Sequence, residues 1–482
     1  MSELRLPWLE LCIVVPLVGT AWVARLRDSD LARRTCLFFA GLTFLSAVGA
    51  WWDFDGLHAA QAVNGRYLVH RLFGCELLTI DQLSAPLLPL SALLHLLTIV
   101  VTSRTKIRRF SFAGALFSDA LVLATFSCRE PWGIVGLLAG GTLLPFFELL
   151  ARGKPTRSYL AHSGLFIGLM VGGWFIVERE TNAGGNSNWG MLLVLGALCV
   201  RCGIFPFHGW IAGLFEHATF GLAVLFVTPM IGIYGVVRLI VPLAPDWMMW
   251  ELGLMALTTA IYASGMSLVQ NDVRRFYCYL FLAHSSLILV GIGTLTSIGT
   301  TGALCIWPSV SLAMTGLGLT LRALEARRGR LLMRDYQGLY EHTPNLAMCF
   351  GLTGLAAVGF PGTFGFVGME ILMDGVVAAN PLMGVAVVII GALNGIAIVR
   401  AFFQLFTGTQ YASSVSLLIR PRERYGVLTL AALILIGGIN PQGRVASRHE
   451  AAVQLLRDHT DRGNVSKKDL ERVAIGLGNP QP

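Results

Sequence analysis

Ionisable side chains lie inside long apolar stretches of this chain, and their position makes them candidates for moving charge. A charged group in a hydrocarbon layer is costly, so such residues usually face a bundle interior, a partner or a water-filled cavity. The side chains predicted to form a proton or ion path are Asp119, Glu148, Arg201, His208, His284, Glu370 and Asp374. His95 and His162 are weaker candidates because neither is near a helix-breaking motif.

Two Gly/Pro motifs interrupt apolar stretches and predict broken helices. The first runs from Gly203 through Pro206, and the second from Gly359 through Pro361. A break frees backbone groups that a membrane tolerates only against protein or a water-filled cavity. Paired breaks in two halves of a hydrophobic chain are typical of transporters with inverted repeats. Two ordinary proline kinks are the alternative.

Charged residues flank both predicted breaks. Arg201 and His208 bracket the first, so a fixed charge and a titratable imidazole meet freed backbone groups there. Glu370 and Asp374 lie one helical turn apart after the second, and this spacing predicts a shared proton or cation site.

The remaining candidates have structural alternatives. Asp119 lies near the middle of an apolar stretch and faces the bundle or forms a structural salt bridge. Glu148 follows Pro145 by nearly one turn, so it faces the loosened backbone or lies at the membrane surface beside Arg152. His284 is either a proton relay or a hydrogen-bonded core histidine.

The elements that carry these residues are predicted membrane helices. Of the 482 residues, 55% are hydrophobic and 13% are charged, which is too little charge to cover a soluble surface. Apolar stretches of about twenty residues, the length that crosses a hydrocarbon core, recur along the chain. We therefore predict an all-α integral membrane protein with about fourteen transmembrane helices. The predicted spans cover residues 7–24, 35–52, 82–103, 110–128, 131–151, 158–177, 189–211, 218–243, 248–270, 277–297, 300–321, 346–366, 382–406 and 425–440.

Basic residues in short loops predict the orientation. The net charge is +8, and the positive residues cluster in alternate loops, whereas the opposite loops hold acidic residues such as Asp53, Glu76 and Asp246. The positive-inside tendency then puts the N-terminus outside, with the first apolar stretch as a membrane helix rather than a cleaved signal. This pattern indicates the lipid bilayer as a partner and no nucleic acid. The basic clusters are Arg25, Arg27, Arg33, Arg34; Arg104, Lys106, Arg108, Arg109; Arg152, Lys154, Arg157; and Arg322, Arg327, Arg328, Arg330, Arg334.

Neither a cofactor nor a metal site is predicted from the sequence. It has no dinucleotide-binding glycine pattern, no P-loop and no cysteine cluster for iron–sulfur or haem. Cys199 and Cys202 match a CxxC pattern, but a single pair in a membrane helix favours packing over redox chemistry. Three segments lie outside the spans: an external loop over 53–80, a basic inner connection over 322–345, and a polar tail over 441–482 with a helical stretch around 467–475.

Several motifs together resemble a known family. The motifs, in chain order, are Arg201-Cys-Gly-Ile-Phe-Pro-Phe-His-Gly-Trp-Ile211, Glu216-His-Ala-Thr219, Tyr234-Gly-Val-Val-Arg238, Gln270-Asn-Asp-Val-Arg-Arg275, His284-Ser-Ser286, Gly359-Phe-Pro-Gly-Thr363 and Phe366-Val-Gly-Met-Glu370. Over about residues 75–410 the chain is similar to the antiporter-like membrane subunits of respiratory complex I, of the chain M and chain L type, a family shared with multi-subunit sodium/proton antiporters.

The resemblance implies an architecture and a role. The fold would be two inverted five-helix repeats, each with a broken helix, within a transmembrane domain over 1–440. The repeats would cover about 110–243 and 248–406. The chain would be a multi-pass membrane protein, in the plasma membrane if bacterial, and other membrane subunits would be its partners. Protons would move along a central chain of buried charged residues.

Several residues depart from the family's pattern. The family's carboxylate in the fifth span would fall at Gly140. The family's lysine before the first break would fall at Arg201, and an arginine stays charged whereas a buried lysine can exchange a proton. The lysine of the eighth span would fall near Met230. The titratable group of the eleventh span would fall in 309–315, where none occurs, and Glu370 matches the twelfth-span group with a displacement of one position. These departures predict a weakened or rerouted proton path, with the second half more competent than the first.

Three functions remain open at this stage. The first is a membrane subunit of a complex I-like NADH:quinone oxidoreductase that takes part in proton translocation while partners transfer electrons. The second is a subunit of a cation/proton antiporter or of an inorganic-carbon uptake complex. The third is a scaffold that has kept the fold and lost ion transfer. The transported ion is not specified by the sequence.

Overall fold

The fold is known from a computed structural model. It describes residues 2–63, 77–102, 110–183, 188–334, 336–408 and 421–476, with side chains over 424–461 in the last range. The basic cluster from Arg104 to Arg109 and the acidic Glu76 lie outside the described residues.

Helices make up almost all of the described chain. Their bounds are α1 Trp8–Val23, α2 Ser29–Leu57, α3 Leu87–Val101, α4 Phe112–Ser127, α5 Pro131–Gly141, α6 Leu143–Ala151, α7 Arg157–Asn182, α8 Asn188–Cys202, α9 Gly209–His217, α10 Phe220–Val227, α11 Ile231–Gly235, α12 Asp246–Val269, α13 Val273–Gly293, α14 Ser297–Arg328, α15 Pro344–Val358, α16 Phe364–Ala379, α17 Pro381–Phe406, α18 Pro421–Ile439 and α19 Gln442–Gly476. A π-helical turn, Val236–Ile240, continues α11. The predicted helical architecture is confirmed.

Length and composition identify which helices can cross a membrane. Eight helical segments of the described chain are long and apolar enough, and α18 with the start of α19 would add one, bent by 83°. Shorter apolar helices such as α1, α3 and α4 accompany them. Helices suit a bilayer because their backbone groups bond within the segment. The prediction of about fourteen crossings is not settled by these lengths.

Burial separates central helices from peripheral ones. The most apolar windows of α10–α11 and of α13 are 100% buried, whereas that of α7 is 28% buried. A helix that is apolar all round and fully buried belongs to the middle of a bundle, and one that exposes apolar residues faces lipid or another protein. The interior of this protein therefore lies around α10, α11 and α13.

A small sheet and the last helix lie on the face that holds the N-terminus. Strand β1 (Ser2–Glu3) pairs in parallel with β2 (Gln61–Val63), which pairs antiparallel with β3 (Thr79–Asp81). On α19, the Arg448 guanidinium donates to the carbonyls of Gln82 and Leu83, just after β3. The tail is thus a docked helix on the N-terminal face.

Three segments differ from the sequence-based expectation. Residues 367–381 lay outside the predicted spans, but helix α16 occupies most of them. The tail was predicted as polar chain with a short helical stretch, and it is helical from Gln442 to Gly476. The inner connection also begins later than predicted, because α14 continues to Arg328.

The breaks fall at corresponding places in the order of helices. If α5 and α6 are counted as one segment and counting starts at α4, the fourth segment is the one that the first break divides into α8 and α9. From α12 onward, the second break separates α15 from α16, again in the fourth segment. If each repeat crosses the membrane an odd number of times, the second repeat runs in the opposite direction to the first. The division into 110–243 and 248–406 stays a prediction.

Candidate functional site

The first break is a turn of non-helical chain between Cys202 and Gly209. Gly203 has φ +71°, and a Cβ there would overlap the Ile211 side chain, so only glycine fits. Across the break, the Trp210 indole donates to the Val200 carbonyl at 2.8 Å. A side chain thus satisfies a backbone acceptor that the interrupted helix left free.

Arg201 is buried at the end of α8. The residue is 7% exposed, and its side-chain nitrogens Nε and Nη2 have no hydrogen-bond partner among the described residues. Its guanidinium carbon lies 4.3 Å from the Phe226 ring centroid and 5.7 Å from that of Trp210. The neighbours are therefore aromatic faces rather than carboxylates.

His208 lies on the other side of the break in an aromatic setting. Its Nε2 is 3.4 Å from the Tyr262 hydroxyl, and its ring stacks on Phe205 with centroids 5.9 Å apart. Nδ1 has no partner among the described residues. The structure places Arg201 and His208 on opposite sides of the break, as their spacing predicts, but in different surroundings.

A third interruption, which the sequence analysis missed, divides α10 from α11. Met230 has φ 55°, and the freed carbonyls of Thr228 and Pro229 accept from Ser311 Oγ at 2.9 Å and from Trp307 Nε1 at 3.3 Å. Both donors belong to α14. Pro229, in the middle of an apolar stretch, was the signal that could have predicted this break.

The second break separates α15 from α16. Gly359 has φ +83°, and Thr363 caps α16 by accepting from the Phe366 amide at 3.3 Å. A Cβ on Gly365 would lie 2.8 Å from the Ser309 hydroxyl. Helix α14 therefore contacts both the second break and the break at Met230.

His284 is a buried histidine on α13 without a protein partner. It is 1% exposed, and neither Nδ1 nor Nε2 has a hydrogen-bond partner among the described residues. Helix α13 packs against α14 and α17, where the hydroxyls of Ser309 and Thr315 and the amide of Asn394 are also buried without partners. Buried polar groups normally find a partner, and ordered water supplies it where protein does not.

Glu370 and Asp374 lie on the exposed side of α16, not in the interior that holds His284. The opposite side packs closely on α14, since Cβ atoms on Gly368 and Gly375 would meet α14 backbone. The one-turn spacing does put both carboxylates on one face. That they share a proton or cation site stays a prediction.

Glu148 pairs with Arg152 and forms no ion pair with Arg201. Its Oε1 lies 3.5 Å from Arg152 Nη1 and accepts from the Thr219 amide at 3.3 Å. Its position near the membrane surface stays a prediction. At Gly140, where the family resemblance implies a carboxylate, an added Cβ would meet no atom within 4 Å.

Asp119 has a partner that sequence spacing did not reveal. His95 Nδ1 lies 3.3 Å from Asp119 Oδ1, and both side chains are 0% exposed. The same ring nitrogen is 3.0 Å from the Ser91 carbonyl, and Nε2 is 3.3 Å from Ser118 Oγ. Neither Asp119 oxygen has a hydrogen-bond partner among the described residues, so the contact with His95 is one of proximity between two buried ionisable groups.

Paired charges lie at both predicted membrane faces. On the face predicted to be inner, Arg274 forms a two-bond contact with Glu325 at 2.7 and 2.8 Å. On the face predicted to be outer, Arg238 does the same with Asp81 at 2.7 and 2.9 Å. Burial by itself raises the pKa of Asp81, but the Arg238 charge and hydrogen bonds, with the Ser84 amide, more than offset this and lower it to about 2.

The described part of the chain has no disulfide and no cluster of metal-binding side chains. The described cysteines, including Cys199 and Cys202, are free thiols. No group of three or more His, Cys, Asp or Glu side chains there could hold a metal ion.

Comparisons with known proteins agree on one family. Residues 164–394 match the family described as NADH:quinone oxidoreductase/Mrp antiporter, TM. The match includes both predicted breaks, Arg201 and His284, whereas Asp119 and Glu148 precede it.

Curated relatives span several kinds of dehydrogenase. NAD(P)H-quinone oxidoreductase chain 4 of a Synechococcus species is 26% identical over 94% of this chain and 90% of its own length. F(420)H(2) dehydrogenase subunit M of Methanosarcina mazei is 24% identical over 52% of each chain, so that alignment covers about half the length of the relative.

Solved structures share the fold. A chain of respiratory complex I from Thermus thermophilus superposes with a TM-score of 0.80 at 22% identity, covering 94% of this chain and 99% of the other. A chain of the Mrp complex from a Dietzia species gives 0.79 at 18% identity, covering 93% and 97%. The fold predicted from the motifs, and the multi-pass membrane location, are confirmed.

Proposed function

We propose that this chain is a membrane subunit of a complex I-like NADH:quinone oxidoreductase, because residues 164–394 match the family that such subunits share with Mrp antiporters. In that assembly it takes part in proton translocation, and partner subunits carry out electron transfer. The names of the full-length relatives support this proposal.

One observation carries the proton role. His284 is a titratable side chain buried in a central helix with both ring nitrogens free of protein partners. Imidazole exchanges protons near neutral pH, and two open nitrogens let it accept a proton on one side and release it on the other. Water beside the unpartnered hydroxyls of Ser309 and Thr315 would supply the steps that side chains leave open.

The first half is less suited to proton transfer. Arg201 holds its proton throughout the physiological range, so it stabilises charge but does not relay it. Gly140 and Met230 carry no titratable group. The proposed route therefore runs through the second half, with His284 as its buried relay.

The exposed carboxylates support a partner subunit. Glu370 and Asp374 share their side of α16 with the exposed apolar residues Phe366 and Val377. Such a face is costly against lipid because of its charges. A neighbouring membrane subunit with basic or hydrogen-bonding groups would cover it.

A scaffold without proton transfer is the second candidate function. The specific observation that favours it is the fixed Arg201 at the first break, where a proton-exchanging lysine would be needed. The nearly equal TM-scores to complex I and Mrp chains also mean that fold alone does not choose between respiratory and antiporter assemblies.

Proton uptake by the assembly tests the proposal. The complex is purified in mild detergent, returned to vesicles, and driven with its electron donor while quinone reduction and proton uptake are followed together. His284→Gln keeps a polar side chain of similar length but does not titrate. We expect uptake per electron to fall about tenfold or more, with the complex intact.

His162→Gln is the matched control, because it removes a membrane-helix histidine whose Nδ1 is held by the Ser158 carbonyl at 2.8 Å. It should leave proton uptake unchanged. Wild-type uptake in His284→Gln would overturn the relay and favour the scaffold, and a chain that copurifies with no partner would overturn membership in an assembly.

A further inference from the structure

A small cavity lies against the Arg201 side chain. Its volume is about 30 Å³, and its lining includes Cys202, Trp210, Phe226 and Met230 from the first half and Ser286 from α13. A volume of this size holds about two water-sized particles. The cavity is therefore large enough for a small ion and too small for an organic one.

The Arg201 charge is not balanced by the chain. None of the described carboxylates forms an ion pair with it. The nearest family position for a carboxylate is Gly140, and Glu148 is engaged by Arg152 and Thr219. The Tyr159 hydroxyl donates to the Thr142 carbonyl at 2.7 Å.

The aromatic contacts of Arg201 do not replace the missing negative partner. A desolvated cation–π contact stabilises a cation by less than the removal of its water costs, even after relaxation. Two rings, at 4.3 and 5.7 Å from the guanidinium carbon, leave the charge under-compensated. Something negative or strongly polar must share the cavity with it.

We propose that this cavity binds a small monovalent anion, of halide size, as the counter-ion of Arg201. The guanidinium donates to the anion from its unpartnered nitrogens, and the Ser286 hydroxyl faces the same space. A cation is repelled by the fixed charge. The proposal goes beyond the proposed function, because a bound counter-ion at the first break requires no proton movement in the second half.

Halide binding to the whole protein tests the site. The full chain, with its copurifying subunits, is exchanged into a sodium gluconate buffer. The gluconate anion is too large for a cavity of about 30 Å³. Chloride or bromide then replaces gluconate at constant ionic strength. We expect a saturable rise in the unfolding temperature, on the order of 2 °C or more, and about one radiolabelled chloride bound per chain by equilibrium dialysis.

Variants assign the binding to the cavity. Arg201→Gln should abolish both the temperature shift and the bound chloride, and Arg201→Lys should keep part of them. Ser286→Val, which narrows the cavity and leaves the charge, should weaken binding. Arg322→Gln is the control, because that guanidinium bonds to Thr98 and Thr102 instead, and it should keep the full response.

A direct measurement covers the case in which Arg201→Gln fails to fold. Anomalous scattering from a bromide-soaked crystal of the wild-type protein should show a peak within hydrogen-bond reach of the Arg201 guanidinium. No chloride bound by the wild-type assembly would overturn the proposal in favour of water or a partner's carboxylate. Binding that survives in a folded Arg201→Gln would overturn it as well. Neither result depends on proton uptake, so the two proposals fail separately.

Discussion

The two broken helices carry different charges at similar interruptions. The first break has Arg201 beside aromatic rings and a small cavity, with a charge that stays fixed. In the second half, the buried polar groups include His284 on α13 and the uncharged hydroxyls of Ser309 and Thr315, and the two carboxylates of α16 lie on its exposed side. Helix α13 also borders the first break, with Leu282 beside Gly203 and Ser286 on the Arg201 cavity. The charge at the first break is therefore fixed, whereas the buried imidazole on α13 can titrate.

Broken helices and proton relays are therefore separable features of this fold. A break frees backbone acceptors and donors, and this chain satisfies several of them with Trp210, Trp307 and Ser311. Relay chemistry needs in addition a side chain whose proton can leave. In the described part of the second half, His284 is a buried side chain of this kind.

Substitution of the two buried arginines of the first half should change the unfolding free energy by very different amounts. Arg238→Met leaves Asp81 buried without its partner and should cost about 3–5 kcal/mol of unfolding free energy. Arg201→Met removes a charge that no described carboxylate balances, so in halide-free buffer it should not destabilise the protein. Thermal and denaturant unfolding of the purified chain checks both.

Equal losses in the two variants would mean that Arg201 has a structural anionic partner, and the contrast between a paired and an unpaired arginine would be lost. Arg274→Met, which strips Glu325 of its partner on the inner face, is the matched variant and should behave like Arg238→Met.

A smaller effect compares the two breaks. Gly203→Ala adds left-handed backbone strain and an overlap with Ile211, together about 2–5 kcal/mol. Gly359→Ala adds the same strain, but its Cβ would lie 3.3 Å from the Gly365 carbonyl, so it should cost about 1–2 kcal/mol. Unfolding temperatures rank the two. A larger loss at Gly359 would show that the second break is the tighter one.

The smallest effect is the pH dependence of the outer ion pair. The pKa of Asp81 is lowered from 3.8 to about 2, so its contribution is complete above about pH 4 and is lost as the pH falls towards 2. The shift is equivalent to about 2 kcal/mol. Unfolding of wild type between pH 5 and pH 2 should show this loss, and Asp81→Asn should lack it.

Asp55→Asn, which changes an exposed carboxylate on the same face, should keep the wild-type acid transition. An acid transition that is the same in Asp81→Asn and wild type would place the pH-sensitive pair elsewhere, for instance in the second half.

Much of the fold was readable from the sequence. Apolar length predicted most helices within a few residues, and Gly203 and Gly359 marked two breaks because positive φ favours glycine. The break at Met230 was missed because a methionine takes the left-handed position. Helix α16 was missed because a break and two carboxylates shortened its apolar stretch.

The arrangement of the site was less readable. Spacing put Glu370 and Asp374 on one face but not on a particular side of the bundle, because lipid-facing and core-facing sides of a membrane helix are both apolar. His95 and Asp119 meet across two helices, and no sequence period predicts such a contact. The buried state of Arg201 followed from its motif, whereas its lack of a carboxylate partner needed the three-dimensional neighbours.

A single comparison tests the contrast between the halves most directly: proton uptake per electron in vesicles containing the assembly with His284→Gln or with Arg201→Met. We expect His284→Gln to lose about tenfold or more of the uptake and Arg201→Met to retain most of it. The reverse order, with uptake lost in Arg201→Met and kept in His284→Gln, would contradict a relay at His284 and put the proton path in the first half.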